Sequence, residues 1–428
     1  MYCTRITLRR LPKKCTLLGD GAGVILESYE LQVAPTPLAA AHNQTGCVPD
    51  PLPPLAHRHG GNRQERAEAL GCRPNQLLDL SASLVPFGPP GWLPRALGRA
   101  LRQELVPYPD RRYAQLRQAI AAHHQLDPAQ VLPGNGAAEL FTWAARDAAA
   151  FTSLLPQPGF ADYRRALACW NGPQQPLALR LHWGEAFPQP FEAALATPLE
   201  GGAGHALWVT NPHNPTGQLW SRCSLEPLLE RFGLVLVDEA FLPLVPEGEQ
   251  QSLVPLLEQH PNLVVIRSLT KLFAVAGLRL GYALGAAERL AHWATWRDPW
   301  PVNGLAAAVG GQLLADRHWA RRVKHWVAQE GAWLPRQLGQ LPGLRPLPSA
   351  ANFLLLKGEQ SLEPLRCRLE QRHHILLRDC RSFPGLGDHW LRLALADRGA
   401  HRRLIRALGL ETAEGRPAAA AAPFGPLA

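Results

Sequence analysis

The sequence predicts an α/β fold with a mainly parallel sheet, and three observations carry that expectation. Short apolar runs recur at residues 151–155, 177–181, 206–210, 234–237 and 263–266, several of them apolar at nearly every position, as strands covered on both faces are. Helical patterns separate the runs, which is the alternation of a parallel sheet with crossover helices. Polar clusters follow three of the runs, where the ligand sites of such sheets lie.

Composition sets the outer bounds. A chain of 428 residues with 46% hydrophobic and 18% charged content suffices for one large or two ordinary domains with a substantial core. The formal charge of +9 does not imply a nucleic-acid partner, because the arginines are scattered and no basic run alternates with exposed aromatics. Eight cysteines without a Cys-x-x-Cys pair predict reduced thiols of a cytoplasmic protein rather than a disulfide or zinc framework. No run of about 18 apolar residues predicts a membrane span.

Residues 1–54 read as an irregular extension ending in a proline-rich stretch. Its basic start lacks the continuous apolar core of a signal peptide, while an organelle transit peptide stays open. Gly19, Gly21 and Gly23 have no βαβ unit around them and do not make a dinucleotide site. The ordered chain begins at His57-Arg58-His59-Gly60-Gly61-Asn62, with a helix over 63–70 and a strand over 77–80. The pairs His57 and His59, His123 and His124, and His373 and His374 each lack a third ligand, so no metal site is expected. A helix over 113–123 follows Pro107-Tyr108-Pro109-Asp110. Next, Val131-Leu132-Pro133-Gly134-Asn135-Gly136-Ala137 reads as a strand turning through glycines into a helix, whose free N–H groups favour a phosphate.

The three polar clusters come next. Asn211-Pro212-His213-Asn214-Pro215-Thr216-Gly217 is a stiff loop presenting the Asn214 amide. Asp238 emerges from a buried strand, although taken alone it reads equally well as a turn or cap residue. Ser268-Leu269-Thr270-Lys271 ends the third run. Only five of the 44 lysines and arginines are lysine, so an amine has been kept at 271 where arginine would supply charge but no nucleophile. Lys271 is therefore a candidate imine-forming lysine, with Ser268 and Arg279 placed to hold a phosphate. Further on, a strand over 349–356 carries Asn352, and Arg378 and Arg392 are guanidiniums suited to carboxylate or phosphate. The tail from about Thr412 is rich in Ala and Pro, with no apolar periodicity, and is expected to be disordered.

Over roughly residues 55–410 these motifs, in this order, resemble the fold type I pyridoxal-phosphate enzymes, the aspartate aminotransferase superfamily. The resemblance implies a large cofactor domain at 91–305 and a smaller α+β domain formed by 55–90 and 306–410, with 411–428 as a tail. It implies pyridoxal 5′-phosphate bound through Lys271, Asp238 on the pyridinium nitrogen and Asn214 on the ring hydroxyl oxygen. Gly136, Ala137, Ser268 and Arg279 would surround the phosphate, Phe160 would stack on the ring, and Phe241 would lie beside it. A homodimer is implied, with Tyr108 reaching the phosphate site of the neighbouring subunit. His59, Asn62, Asn352, Arg378 and Arg392 are the implied contacts of a small phosphorylated amino-acid substrate.

Within the superfamily, Arg378-Asp379-Cys380-x-x-Phe383-Pro384-Gly385-Leu386, His59-Gly60-Gly61-Asn62 and Asp79-x-Ser81 are similar to the threonine-phosphate decarboxylases, and so is Phe241 in place of tyrosine. Ser83 and Val85 depart from that group, which carries asparagines there. The histidinol-phosphate aminotransferases are the alternative. A non-catalytic regulator of this fold would carry a DNA-binding module ahead of it, and residues 1–50 lack helix-turn-helix periodicity.

Overall fold

A computed structural model describes residues 7–10, 29–32, 59–181, 184 and 186–414. His57 lies outside them. The chain divides into two units, Met1–Gly46 and Cys47–Ala428. In the first, Thr7–Arg10 pairs antiparallel with Tyr29–Gln32, so the extension contains regular structure that its mixed composition did not suggest. All else concerns the second unit.

Its centre is a seven-stranded sheet. In chain order the strands are β1 (Val131–Asn135), β2 (Thr152–Gln157), β3 (Gln174–Ala178), β4 (His205–Thr210), β5 (Leu234–Asp238), β6 (Leu263–Ser268) and β7 (Leu280–Gly285). Their spatial order is β1-β7-β6-β5-β4-β2-β3. Strands β3, β2, β4, β5 and β6 run parallel to their neighbours, whereas β7 is antiparallel to both β6 and β1. The mixed, mostly parallel α/β sheet is the architecture the apolar runs imply.

Burial explains the runs. Along β5, Leu234 and Leu236 join one core with Ala206, Trp208, Val264 and Ile266, while Val235 and Val237 join the other with Leu207, Val209 and Val265. With helices over both faces, every residue of β5 is buried, and alternation disappears from the sequence. Two expectations shift. The edge strand β3 spans Gln174–Ala178 rather than 177–181, because its place is set by main-chain pairing to β2 and its own side chains are mostly exposed. Strand β7 was not expected, its residues having been read only as part of the lysine motif.

A second, antiparallel sheet is formed by β8 (Leu344–Pro346), β9 (Phe353–Gly358), β10 (Arg378–Asp379) and β11 (Trp390–Ala394), in the order β8-β9-β11-β10. The early segment joins it: Leu78–Asp79 pairs parallel with Ile375–Leu376, and the Ala394 N–H donates to the Leu80 carbonyl at 2.8 Å. Residues 59–83 are thereby held beside β11. The last helix, Arg398–Glu414, continues past Thr412, where the end of periodic chain was expected; Thr412 Oγ1 bonds the Leu408 carbonyl at 2.9 Å.

Cys72, Cys169, Cys223 and Cys380 are free thiols, but Cys367 is disulfide-bonded, against the expectation of thiols throughout. Among the described residues no helix is long and apolar enough to cross a membrane, and no group of His, Cys, Asp or Glu could hold a metal ion.

Behind β5 and β6 lies a buried ion cluster. Arg267, fully buried, pairs with Glu239 at 2.6 Å and Glu249 at 2.8 Å, and Glu239 also accepts from Ser252 Oγ at 2.8 Å and the Leu253 N–H at 2.9 Å. Removing one partner of such a pair leaves a charge in low dielectric. Arg267→Ala is expected to cost about 3 to 5 kcal/mol of stability, and Arg267→Ala with Glu239→Gln less than the single change, checked by denaturant unfolding of both variants.

Candidate active site

The site forms where β4, β5 and β6 end side by side. Thr210 stands opposite Asp238, and Asp238 opposite Ile266, in parallel register. The loop after β4 is closed by its own backbone, with the Gly217 N–H donating to the His213 carbonyl and the His213 N–H to the Gln218 carbonyl, both at 2.7 Å. This leaves Asn214 buried but facing a cavity. Asp238 Oδ1 accepts from the Ala240 N–H at 2.9 Å and Oδ2 from the Tyr163 hydroxyl at 2.6 Å. After β6, Ser268 Oγ and Thr270 Oγ1 share a hydrogen bond at 2.7 Å, and the Lys271 amine lies 5.7 Å from the centre of the Phe241 ring.

An anion cradle adjoins them. Helix Ala137–Ala148 begins at Gly136, which has a φ of 75° and offers no side-chain cap, so the first N–H groups of the helix are open to a ligand. Strand β7 pairs Leu280 with Asn135 and thus sets Arg279 beside this turn. A Cβ on Gly136 would stand 2.5 Å from Arg279 Nη2. Among the described residues Arg279 bonds only the Ala276 carbonyl, at 3.3 Å.

The small sheet closes the cavity. Arg378 and Arg392 are directly paired across β10 and β11, and both line it. Arg392 donates to Asn214 Oδ1 at 2.5 Å and to the Ser81 carbonyl at 3.1 Å. Arg378 donates to Ser382 Oγ at 2.8 Å and lies against the Phe383 ring. The cavity volume is about 300 Å³.

Of the residues singled out in the sequence, Ala137, Phe160, Asn214, Asp238, Phe241, Ser268, Lys271, Arg279, Arg378, Arg392 and His59 line this one cavity. Gly136 lies at its cradle through the contact with Arg279. Asn352 is buried behind the wall rather than in it, donating from Nδ2 to the Ser83 carbonyl at 3.2 Å, with Oδ1 lacking a partner among the described residues. Asn62 is half-buried at the start of helix Arg63–Ala69 and outside the lining. Tyr108 is also outside, 77% exposed and stacked on Trp300 at 4.4 Å. Sequence reasoning missed Tyr163, Thr210 and Thr270. Tyr163 lies in the first turn of helix Ala161–Ala168, after the extended Phe160, and carried no signal of its own.

The model for aminotransferase class I and II matches residues 75–408. A threonine-phosphate decarboxylase of Salmonella typhimurium is 37% identical over 82% of this chain and 95% of its own length. A histidinol-phosphate aminotransferase of Symbiobacterium thermophilum is 33% identical over 80% of this chain and 92% of its own. This chain belongs to the aminotransferase class I and II family. The solved L-threonine-O-3-phosphate decarboxylase of Porphyromonas gingivalis has the same fold, with a TM-score of 0.67 at 22% identity over 79% of this chain and 100% of that one.

Enzymes of the aminotransferase family work with pyridoxal 5′-phosphate, and the donor set here fits it. A carboxylate, an amide, an amine and a glycine-lined cradle with a guanidinium that has no carboxylate partner among the described residues are gathered in one cavity. Burial, with Arg392 and Arg279 nearby, pulls the Lys271 amine down to about 8, against the attraction of Asp238. Burial pushes Asp238 up to about 6, resisted by the hydrogen bonds from Tyr163 and Ala240. Burial and then Arg378 lower Arg392 to about 9.

In cofactor-free protein, labelling of Lys271 by an amine-selective reagent is expected to rise with pH through about 8, rather than near the ordinary lysine range, as followed by mass spectrometry. Gly136→Ala forces a side chain into Arg279 and a positive φ, so binding of pyridoxal phosphate is expected to weaken by about tenfold or more, measured by equilibrium dialysis.

Proposed function

We propose that this enzyme removes carbon dioxide from L-threonine O-3-phosphate, leaving (R)-1-amino-2-propanol O-2-phosphate for cobalamin biosynthesis. The observation that carries the reading is the facing pair Arg378 and Arg392 in the cavity that holds Lys271. Two guanidiniums call for a substrate with two anionic groups. The similarity to the Salmonella decarboxylase over most of its length supports the same reading.

Pyridoxal phosphate, when bound, supplies a cationic ring that takes up the electron pair released at the substrate Cα. The chain's own groups decide which bond breaks. Asp238 would hold the ring nitrogen, a carboxylate against it favouring the protonated form. Arg378 and Arg392, with His59 on the same lining, would hold the phosphate and carboxylate so that the bond from Cα to the carboxylate stands perpendicular to the ring, while Asn352 supports the wall from behind. Carbon dioxide leaves without its bonding pair, and Lys271 Nζ returns a proton to Cα, a task suited to an amine whose proton affinity is lowered to about 8. Phe241 lines the cavity without a hydroxyl.

The reading includes a cytoplasmic homodimer. Leu105, Val106 and Tyr108, which are 67%, 93% and 77% exposed, form an apolar stretch suited to a second copy, whose phosphate site Tyr108 would reach.

Incubation with pyridoxal phosphate and L-threonine O-3-phosphate, without any keto acid, is expected to yield carbon dioxide and the phosphorylated amine by mass spectrometry. Arg378→Ala and Arg392→Ala are each expected to lower kcat/KM by about tenfold or more. Amino transfer from glutamate to imidazole-acetol phosphate in place of carbon dioxide release would move the enzyme to the histidinol-phosphate aminotransferases.

A further inference from the structure

Tyr163 stands behind the carboxylate that faces the cavity, on helix Ala161–Ala168 just after Phe160. Its hydroxyl has one proton and two neighbours, Asp238 Oδ2 at 2.6 Å and Thr210 Oγ1 at 2.8 Å. An ionised carboxylate only accepts. The tyrosine proton therefore goes to Asp238, and Thr210 donates to the tyrosine oxygen. The other carboxylate oxygen takes the Ala240 N–H. Each oxygen has one donor from the chain, and Asp238 still lines the cavity. The tyrosine ring is locked by Phe141 at 5.0 Å, Phe160 at 5.6 Å and Trp208 at 5.1 Å, and the residue is 4% exposed.

We propose that Tyr163, backed by Thr210, is the positioning residue that aims Asp238 at the cofactor's ring nitrogen and keeps that carboxylate ionised in its buried setting. The proposal rests on the reading that Asp238 pairs with the ring nitrogen. The charged and titratable groups around Asp238 are Tyr163 itself, the neighbouring Glu239 and, across the cavity, Lys271, with Asp162 beside Tyr163. Glu239 is neutralised by Arg267 at 2.6 Å, and Asp162 is paired with Arg165 at 3.1 Å and with His59, which also lines the cavity, at 3.5 Å. Tyr163 is thus, among the described residues, the side chain that donates to Asp238, and the helix that supports the acid begins just after Phe160, which lines the cavity.

Full-length protein freed of cofactor is titrated with pyridoxamine 5′-phosphate, which carries the same ring and phosphate but no aldehyde, so the titration of Lys271 does not enter through imine formation. Affinity is measured by calorimetry from pH 5 to 9. In Tyr163→Phe the carboxylate loses a donor, its proton affinity rises, and affinity should fall about tenfold at neutral pH. The loss of affinity on acidification should set in about one pH unit higher than in the wild type. Thr210→Val should move the same way by less, and Thr210→Ser should restore wild-type behaviour.

Asp238→Asn provides the baseline set by the ligand's own phosphate. If Tyr163→Phe keeps the wild-type acid limb while Asp238→Asn changes it, the role given to Tyr163 is overturned, whatever happens to the melting temperature. If Asp238→Asn itself titrates like the wild type, the reading of Asp238 fails, and the proposal with it.

Discussion

The site depends on the parallel register of three adjacent strands. The Asn211 N–H donates to the Asp238 carbonyl at 2.8 Å, and the Glu239 N–H to the Ile266 carbonyl at 2.9 Å, so the ladder continues one residue past the end of each strand before the loops diverge. An amide, a carboxylate and an amine from three distant stretches of chain become neighbours through main-chain bonds alone. A slip of one residue would turn Asp238 toward the opposite core. Strand β7 starts beside the end of β6 and runs antiparallel to it, so Arg279, just ahead of β7, stays at the same edge as the cradle at Gly136, whereas a further parallel strand would begin at the far edge.

The same alternation keeps two sets of charges apart. Asp238 and Glu239 are consecutive, as are Arg267 and Ser268, and consecutive residues of an extended chain point to opposite sides. Asp238 and Ser268 line the cavity, while Glu239 and Arg267 meet behind the sheet. One pair of positions faces the cavity and the other forms an ion cluster. The cluster is closed by Glu249, Ser252 and the Leu253 N–H, whereas the cavity side keeps groups whose proton affinities burial has moved. Protein bonds nearly saturate the first set. The second can still bind.

Much of this was legible in the sequence because buried parallel strands are written as unbroken apolar runs and their ends as polar clusters. Lys271 stood out in an arginine-rich chain, and Asn214 between two prolines. Tyr163 was hidden because a tyrosine on a short helix reads as core, and only the crossing of that helix over the end of β5 turns its hydroxyl into a partner of Asp238. Strand β7 was hidden because its identity follows from pairing on both sides, not from its own pattern. Asn352 fell behind the wall because β9 brings it against the Ser83 carbonyl, a contact between residues 269 apart in sequence. Position along a strand can be read locally, but what faces it across the sheet cannot.

Arg392 joins the two ends of the cavity. Its guanidinium donates to Asn214 Oδ1 and to the Ser81 carbonyl, both neutral acceptors, while burial and Arg378 press its proton affinity down. A charge held, among the described residues, by neutral oxygens has more to gain from an anion than a charge already in an ion pair, since opposite charges attract strongly in a low-dielectric interior. A ligand carboxylate would therefore compete favourably with the Asn214 amide for Arg392. A neutral ligand group would exchange one neutral acceptor for another and gain little. Release of Asn214 Oδ1 would also free an amide that faces the cavity, so anion binding at Arg392 and the orientation of Asn214 are linked through one hydrogen bond. A preference for an anion at this point of the cavity thus follows from which acceptors the fold has given a single buried arginine.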